Sequence, residues 1–305
     1  MRVTCRGTTA PPAAVMITGM REDLDGRLRR LRACRDADAV IELGCDLADA
    51  GRHRDAERCF RRAAELGDAL GWFNLGNSLA ARGRVPDAID AYERALAGGE
   101  RDAWLNLGVV LEELGDRAGA LRAYRGAVAA GDAQGRMHLA FLLHEQGEQE
   151  QALEVVAELA AAGDDVAAAV AACWRWAASH DTSLEADLRA AADRYPGARV
   201  ALASLLRVTG RVPQARSTLE RGAKLGEAQA WLPLGNFYAE ELRDEEAAEE
   251  AYRAGIAAGD GYCHHNLAVL LADRGDLDGA VEHFRLGAAD GDDLAAEALR
   301  ELGGA

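Results

Sequence analysis

Apolar residues recur three and four apart along most of this 305-residue chain, with polar residues between them. Across 69–82 the recurring positions are Trp72, Leu75, Gly76 and Leu79; across 86–97 they are Ala88, Ile89, Tyr92 and Ala95. Such spacing draws one buried stripe on each of two short amphipathic helices. Glycines punctuate the stripes. Gly67-Asp68, Gly131-Asp132, Gly163-Asp164, Gly259-Asp260 and Gly291-Asp292 mark one boundary, and Gly99-Glu100 and Gly226-Glu227 are softer copies of it. Successive marks lie 32 residues apart wherever both are present, and 33 apart from Gly226 to Gly259. Gly51, Gly83, Gly115 and Gly147 form a second series with the same step, out of phase with the first, which returns at Gly210 and Gly275. Glycine can take the left-handed conformation that ends a helix. The acid after it can cap the next helix, a contribution of about 0.5–2 kcal/mol. A helix pair this short cannot cover its own apolar face, so neighbours must stack on it. The pattern predicts an all-α fold, a right-handed α-solenoid (superhelix) of stacked antiparallel helix pairs with a 32-residue period.

Set in columns, the periods share more than length. Trp72-Phe73-Asn74-Leu75-Gly76-Asn77 is followed by Gly83, Ala88, Tyr92 and Ala95, and Trp104-Leu105-Asn106-Leu107-Gly108 by Gly115, Ala120, Tyr124 and Ala127. Trp231, Leu234, Gly235, Tyr238, Ala248 and Tyr252 repeat the scheme, as do Leu267, Leu271, Gly275, Ala280 and Phe284. This resembles the tetratricopeptide repeat, whose columns are Trp, Leu-Gly, Tyr, Ala and Phe or Tyr. The period is shorter than that family's usual ~34 residues, and Gly-Asp stands where its junction proline is usual. Junctions such as Ala63-Ala64-Glu65-Leu66-Gly67-Asp68 are similar to Sel-one-like repeats. The reading places eight repeats over 37–291, an N-terminal capping helix over 21–36, and a C-terminal capping helix and tail over 292–305. Residues 1–20, with Pro11-Pro12 and no helical period, are expected to be disordered. The repeat over 165–195 is degenerate. Ala171-Ala172 replaces Leu-Gly, Ser179 stands where glycine is expected, and Thr182 with Glu185 fits a capping box at its second helix.

Charge and composition narrow the function class. A formal net charge of −16 argues against nucleic acid, whose phosphates need concentrated Lys and Arg. No apolar run is long enough for a membrane span. Six cysteines without CxxC or recurring spacing read as reduced thiols in the cytoplasm. Lys224 is the only lysine, and no glycine-rich phosphate loop or Gly-x-Ser-x-Gly elbow is present. Cys263-His264-His265 suggests a metal patch, but consecutive helical residues point about 100° apart and cannot all converge on one ion. The expectation is a non-catalytic protein without cofactor or metal.

The resemblance implies a surface for holding another protein. In this family the first helices line the concave face, and residues flanking Leu-Gly point into it. Here those columns hold Phe73, Asn74, Asn77, Leu105, Asn106, Met137, His138, Phe141, Trp176, Asn236, His265 and Asn266. Asn77 with Asn106, and Asn236 with Asn266, repeat one arrangement in adjacent repeats. A carboxamide can bond a peptide's N–H and C=O without reading its side chains; the same residues could equally bond neighbouring helices. Trp72, Trp104 and Trp231 sit in the family's core column and are expected to pack. Acids toward the groove edge, Glu112, Glu113 and Glu240 among them, favour a neutral to basic peptide. The reading is a cytoplasmic protein–protein interaction scaffold, with a monomer favoured. The alternatives are a structural subunit of a larger or self-associated assembly and a peptide-sensing regulator.

Overall fold

Every glycine of the two boundary series has positive φ, from 70° at Gly83 to 96° at Gly163, in the computed structural model of the chain, which describes residues 24–303. The expected disorder over 1–20, Cys5, and the outer ends of both expected caps lie outside the described residues. Four of the seven junction acids act as N-caps. The Asp68 carboxylate accepts from Leu70 N, Asp132 from Gln134 and Gly135 N, Asp164 from Val166 and Ala167 N, and Asp292 from Leu294 and Ala295 N. Each of these bonds satisfies an N–H that the helix itself leaves unpaired.

The chain divides into two compact units, Met1–Val155 and Val156–Ala305. The first holds α1 (24–29), a 3-10 turn at Leu31–Ala33, α2 (Ala37–Asp49), α3 (His53–Glu65), α4 (Ala69–Ala80), α5 (Val85–Ala97), α6 (Ala103–Glu113), α7 (Arg117–Ala129) and α8 (Ala133–Glu145). The division falls inside α9 (Gln149–Ala161). The second unit holds α10 (Asp165–Ser179), α11 (Glu185–Ala191), α12 (Pro196–Val208), α13 (Val212–Lys224), α14 (Trp231–Asn236), α15 (Glu245–Ala257), α16 (Cys263–Asp273), α17 (Leu277–Ala289) and α18 (Asp293–Gly303). Each unit is an α-solenoid. Sequence neighbours pack as helix pairs, from α2 on α3 through α7 on α8, and from α10 on α11 through α17 on α18. No strand occurs among the described residues.

A glycine and a ring explain the Leu-Gly column. A Cβ on Gly76 would lie 2.6 Å from the Tyr92 ring, one on Gly108 2.4 Å from Tyr124, and one on Gly235 2.3 Å from Tyr252. The first helix is bare at this point so that the second helix can seat an aromatic against it. Sixteen residues separate Gly44 from Phe60, Gly76 from Tyr92 and Gly108 from Tyr124, and seventeen separate Gly235 from Tyr252. The extra residue is taken up by a π-helix at Phe237–Leu242, which continues α14. A single inserted residue in a helix is a usual origin of such a bulge.

The degenerate stretch differs from its expectation. Thr182 does not cap the second helix. No side chain caps the seven-residue α11; Asp181 instead caps the 3-10 turn at Thr182–Leu184 that leads into it, accepting from Ser183 N at 2.9 Å. Glu185 turns away from the helix start to pair with Arg211 at 2.7 Å through both carboxylate oxygens. The missing glycine is replaced by a strained residue: His180 takes φ 52° in the left-handed region. Arg243 does the same at φ 56° after the π-helix.

Between successive second helices, ion pairs bridge the repeats. Arg52 reaches Asp25 at 2.6 Å, Arg82 and Arg84 meet the buried Glu57, and Arg274 meets Glu245 and Glu249 at 2.9 and 2.5 Å. Apart from Glu57, these groups are partly or largely exposed, so the pairs between them contribute at most about 1 kcal/mol each.

Candidate functional site

In the first unit α2 touches α4, α4 touches α6 and α6 touches α8; in the second, α12 is reached by α10, and α16 by both α14 and α18. First helices are thus the closely spaced members of each stack, and their shared side is the inner face of each unit.

One joint is built twice on these faces. In the first unit, Asn77 Oδ1 accepts from the Tyr92 hydroxyl at 2.8 Å and from Asn106 Nδ2 at 2.7 Å. In the second, Asn236 Oδ1 accepts from the Tyr252 hydroxyl at 2.8 Å and from Asn266 Nδ2 at 2.6 Å. Burial pushes the Tyr252 phenol up to about 12, and that of Tyr92 upward as well, so both stay protonated and donate. The tyrosine that fills the glycine gap therefore also orients the asparagine one position after it. That asparagine holds the amide of the next repeat. Asn106 and Asn266 are themselves partly exposed on the inner face.

The other two copies in the first unit are altered. Val109 stands in the Asn77 column, so the Tyr124 hydroxyl turns to Glu112 and the ring stacks on His138, with centroids 5.2 Å apart. One repeat earlier the answering positions are Cys45 and Phe60, which offer neither amide nor hydroxyl. Asn74 is there fully buried, at 0% exposure, with no partner for either end of its amide.

The expected groove residues therefore separate into two classes. Leu105, Asn106, Met137 and Phe141 are half-buried and His138 is exposed in the first unit; Asn236, His265 and Asn266 are half-buried in the second. Phe73, Asn74, Asn77 and Trp176 need correction as contact residues, because all four are buried. Asn77, 2% exposed, acts through Asn106. Trp176, 4% exposed, fills the core with Leu188, Leu202 and Leu206, where the degenerate repeat supplies only alanines in the Leu-Gly column. The three column tryptophans do pack against the cores but remain half-buried, and the Arg94 guanidinium lies 4.7 Å over the Trp72 ring.

In the second unit three clefts open around Leu232. One of about 330 Å³ lies between α12 and α14, with Arg207, Asn236 and Glu240 in its wall. Another of about 340 Å³ takes in His265, Asn266 and Leu294. The largest, about 810 Å³, sits at the starts of α16 and α18 and includes Asp260, Tyr262, Asp290 and Asp292. Asp260 and Asp292 belong to the junction series and Asp290 directly precedes its glycine, so none of the three acids falls in the Leu-Gly column.

Cys263, His264 and His265 point to three different neighbours. The Cys263 thiol bonds Asp260, the His264 Nδ1 faces the Nδ1 of His283 at 2.8 Å, and the His265 ring lies edge-on to Phe284. Burial pushes the thiols of Cys59 and Cys263 up to about 12 and that of Cys173 to about 11, the opposite of what activates a nucleophile. Cys34 is also free. Among the described residues no helix is long and apolar enough to cross a membrane.

Comparison with known proteins agrees with this architecture. Family models described as tetratricopeptide repeat match residues 41–103 and 200–262, 102–129, and 133–158 and 261–285. The unmatched stretch between 158 and 200 contains α10 and the short α11. No curated protein sequence matches. Among solved structures, a Sel1 repeat protein from Oxalobacter formigenes aligns over 98% of this chain and 97% of its own, with TM-score 0.61 and 20% identity. A tetratricopeptide repeat protein from Parabacteroides merdae ATCC 43184 aligns over 80% and 98%, with TM-score 0.56 and 17% identity. The human IFIT1 dimer with PPP-AAAA aligns over 87% and 71%, with TM-score 0.52 and 13% identity. At these identities the likeness is one of fold.

Proposed function

Because the chain belongs to the tetratricopeptide repeat family, whose members generally serve as interaction scaffolds, we propose that it is a non-catalytic scaffold that holds a peptide segment of a partner protein on the inner faces of its first helices. The carrying observation is the asparagine joint. Asn106 and Asn266 are each fixed from behind by a buried or half-buried asparagine and a tyrosine. Such a preset amide loses little rotamer freedom on meeting a peptide group. Leu105 and Met137 beside Asn106, and His265 beside Asn266, supply contact area for partner side chains. The net charge of −16 favours a neutral to basic guest.

Affinity capture from the native cell, read by mass spectrometry, tests this with wild type beside Asn106→Ala and Asn266→Ala. Circular dichroism first establishes that both variants are folded. A partner retained by wild type and lost by either variant supports the reading. A partner held equally by all three overturns it and moves the contact to another face.

A further inference from the structure

The inner face of the first unit is closed over its first two repeats and open beyond them. Ile41, Cys45, Phe73, Asn74 and Asn77 are each at 6% exposure or less. In the same columns one and two repeats on, Leu105, Asn106, Val109, Met137 and Phe141 are half-buried and His138 is exposed. In the second unit Leu232, Asn236, His265 and Asn266 are half-buried and Val269 is exposed. Residue type does not account for the difference. Asn74 and Asn106 are the same residue in the same column, and Leu105 and Met137 are no smaller than Ile41. Nor does α1, which meets α2 around Val40 and Leu43, on another side of the helix from Ile41 and Cys45. Both ends of the buried Asn74 amide lack a partner, so apolar contact, not bonding to this amide, keeps the face closed.

Charge sets this face apart as well. Together α2, α4 and α6 carry six acids, Asp38, Glu42, Asp46, Asp49, Glu112 and Glu113, and no Lys or Arg. Glu42, in the Asn74 column of the first repeat, stays exposed beside the closed patch. Residues 1–19 show the complement: Arg2 and Arg6, no acid, and the apolar Val3, Val15, Met16 and Ile17. That stretch joins the first unit at α1, whose Leu24 shares one core with Ile41 and Phe73. Nineteen extended residues reach about 60 Å, several times the roughly 10 Å between packed helices.

We infer that residues 1–19 lie as extended chain across α2 and α4 and close the inner face of the first two repeats. Pro11-Pro12 disfavours a helix in that stretch. Its apolar residues cover Ile41 and Phe73, and its arginines meet the acids around them. A partner then finds α6 and α8 open and must displace the segment to reach α2 and α4. The inference rests on the peptide-binding reading for the kind of contact, and names the chain's own segment as an occupant.

The test is fluorescence anisotropy with a labelled peptide of residues 1–19 carrying Cys5→Ser, added to the full chain. In wild type the attached segment competes at an effective concentration on the order of millimolar, so the peptide binds weakly. The full-length variant Arg2→Glu/Arg6→Glu/Val15→Glu/Ile17→Glu vacates the face and should bind the peptide at least about tenfold more tightly. Adding Phe73→Ala should remove most of that gain, and adding Leu232→Ala, in the second unit, should leave it. Circular dichroism checks that each variant is folded. Hydroxyl-radical footprinting read by mass spectrometry leaves the face itself untouched: Ile41 and Phe73 should oxidise faster in the segment variant than in wild type, and Met137 at the same rate. Equal binding by wild type and segment variant, binding by neither, a gain that survives Phe73→Ala, or unchanged oxidation of Ile41 and Phe73 overturns the inference. Oxidation that varies with protein concentration assigns the cover to a second copy and overturns it too. Loss of a partner in Asn106→Ala or Asn266→Ala beside any of these results leaves the scaffold reading standing. A segment released as expected, with a partner held equally by wild type and both asparagine variants, supports the inference and sinks the scaffold reading.

Discussion

Asn77 and Asn236 each use one oxygen for two neighbours, and that economy makes the joint fragile at one end. Asn77→Ala removes the acceptor shared by the Tyr92 hydroxyl and the Asn106 amide, two hydrogen bonds at once, and should cost about 2 kcal/mol. Asn106→Ala removes a half-exposed donor and should cost about 1 kcal/mol or less. Urea denaturation of the two variants reads the order directly. Asn74 inverts the argument: its amide is fully buried with nothing to bond. Asn74→Leu keeps much of the shape and removes the orphan, so stability should rise by about 1–2 kcal/mol in the same assay. The His264–His283 contact adds a pH dependence. Burial, then the neighbouring His264 and Arg253, depress the His283 pKa, and Glu282 and Asp276 oppose them weakly. A histidine depressed in the folded state gives its full stability above the unfolded value of about 6.5, and the benefit is lost as pH falls below that. The thermal midpoint should therefore drop between about pH 7.5 and pH 5.5, and His283→Gln should flatten that drop.

At the scale of the element, the helix pairs were legible in the sequence because glycine and the apolar period state the same boundary twice. All thirteen boundary glycines have positive φ. What could not be read was where a departure would be absorbed. The 33-residue step from Gly226 to Gly259 signals one extra residue without saying that Phe237–Leu242 takes it as a π-helix. Likewise Thr182 and Glu185 match a cap by spacing, yet the nearby Asp181 and the competing Arg211 decide the outcome. The candidate site was half legible for a similar reason. Column position identified Asn106 and Asn266, but Trp176 is drawn inward by a core whose own column offers only alanine. Arg243 ends the π-helix in the left-handed region without being glycine. Arg243→Gly should stabilise by about 1 kcal/mol, seen as a higher thermal midpoint.

Across the whole molecule, stability in a stack is a sum over repeats and their interfaces, so the weakest repeat should open first. That repeat contains α11, seven residues with only Leu188 and Ala191 buried. Hydrogen exchange followed by mass spectrometry should find amides of 181–195 less protected than those of α12. Equal protection would mean that α12 and α10 hold the short helix more firmly than its length suggests. The asparagine joint has a different consequence, for how such a chain can be lengthened. A repeat that presents asparagine after its Leu-Gly glycine calls for a successor with asparagine before its leucine, as the second and third repeats and the seventh and eighth do. Gene duplication that copies such a pair intact yields a working joint, whereas a copy cut between them leaves a buried amide unanswered, as at Asn74. The joint therefore acts as a rule of succession, making the order of repeats heritable in pairs rather than singly.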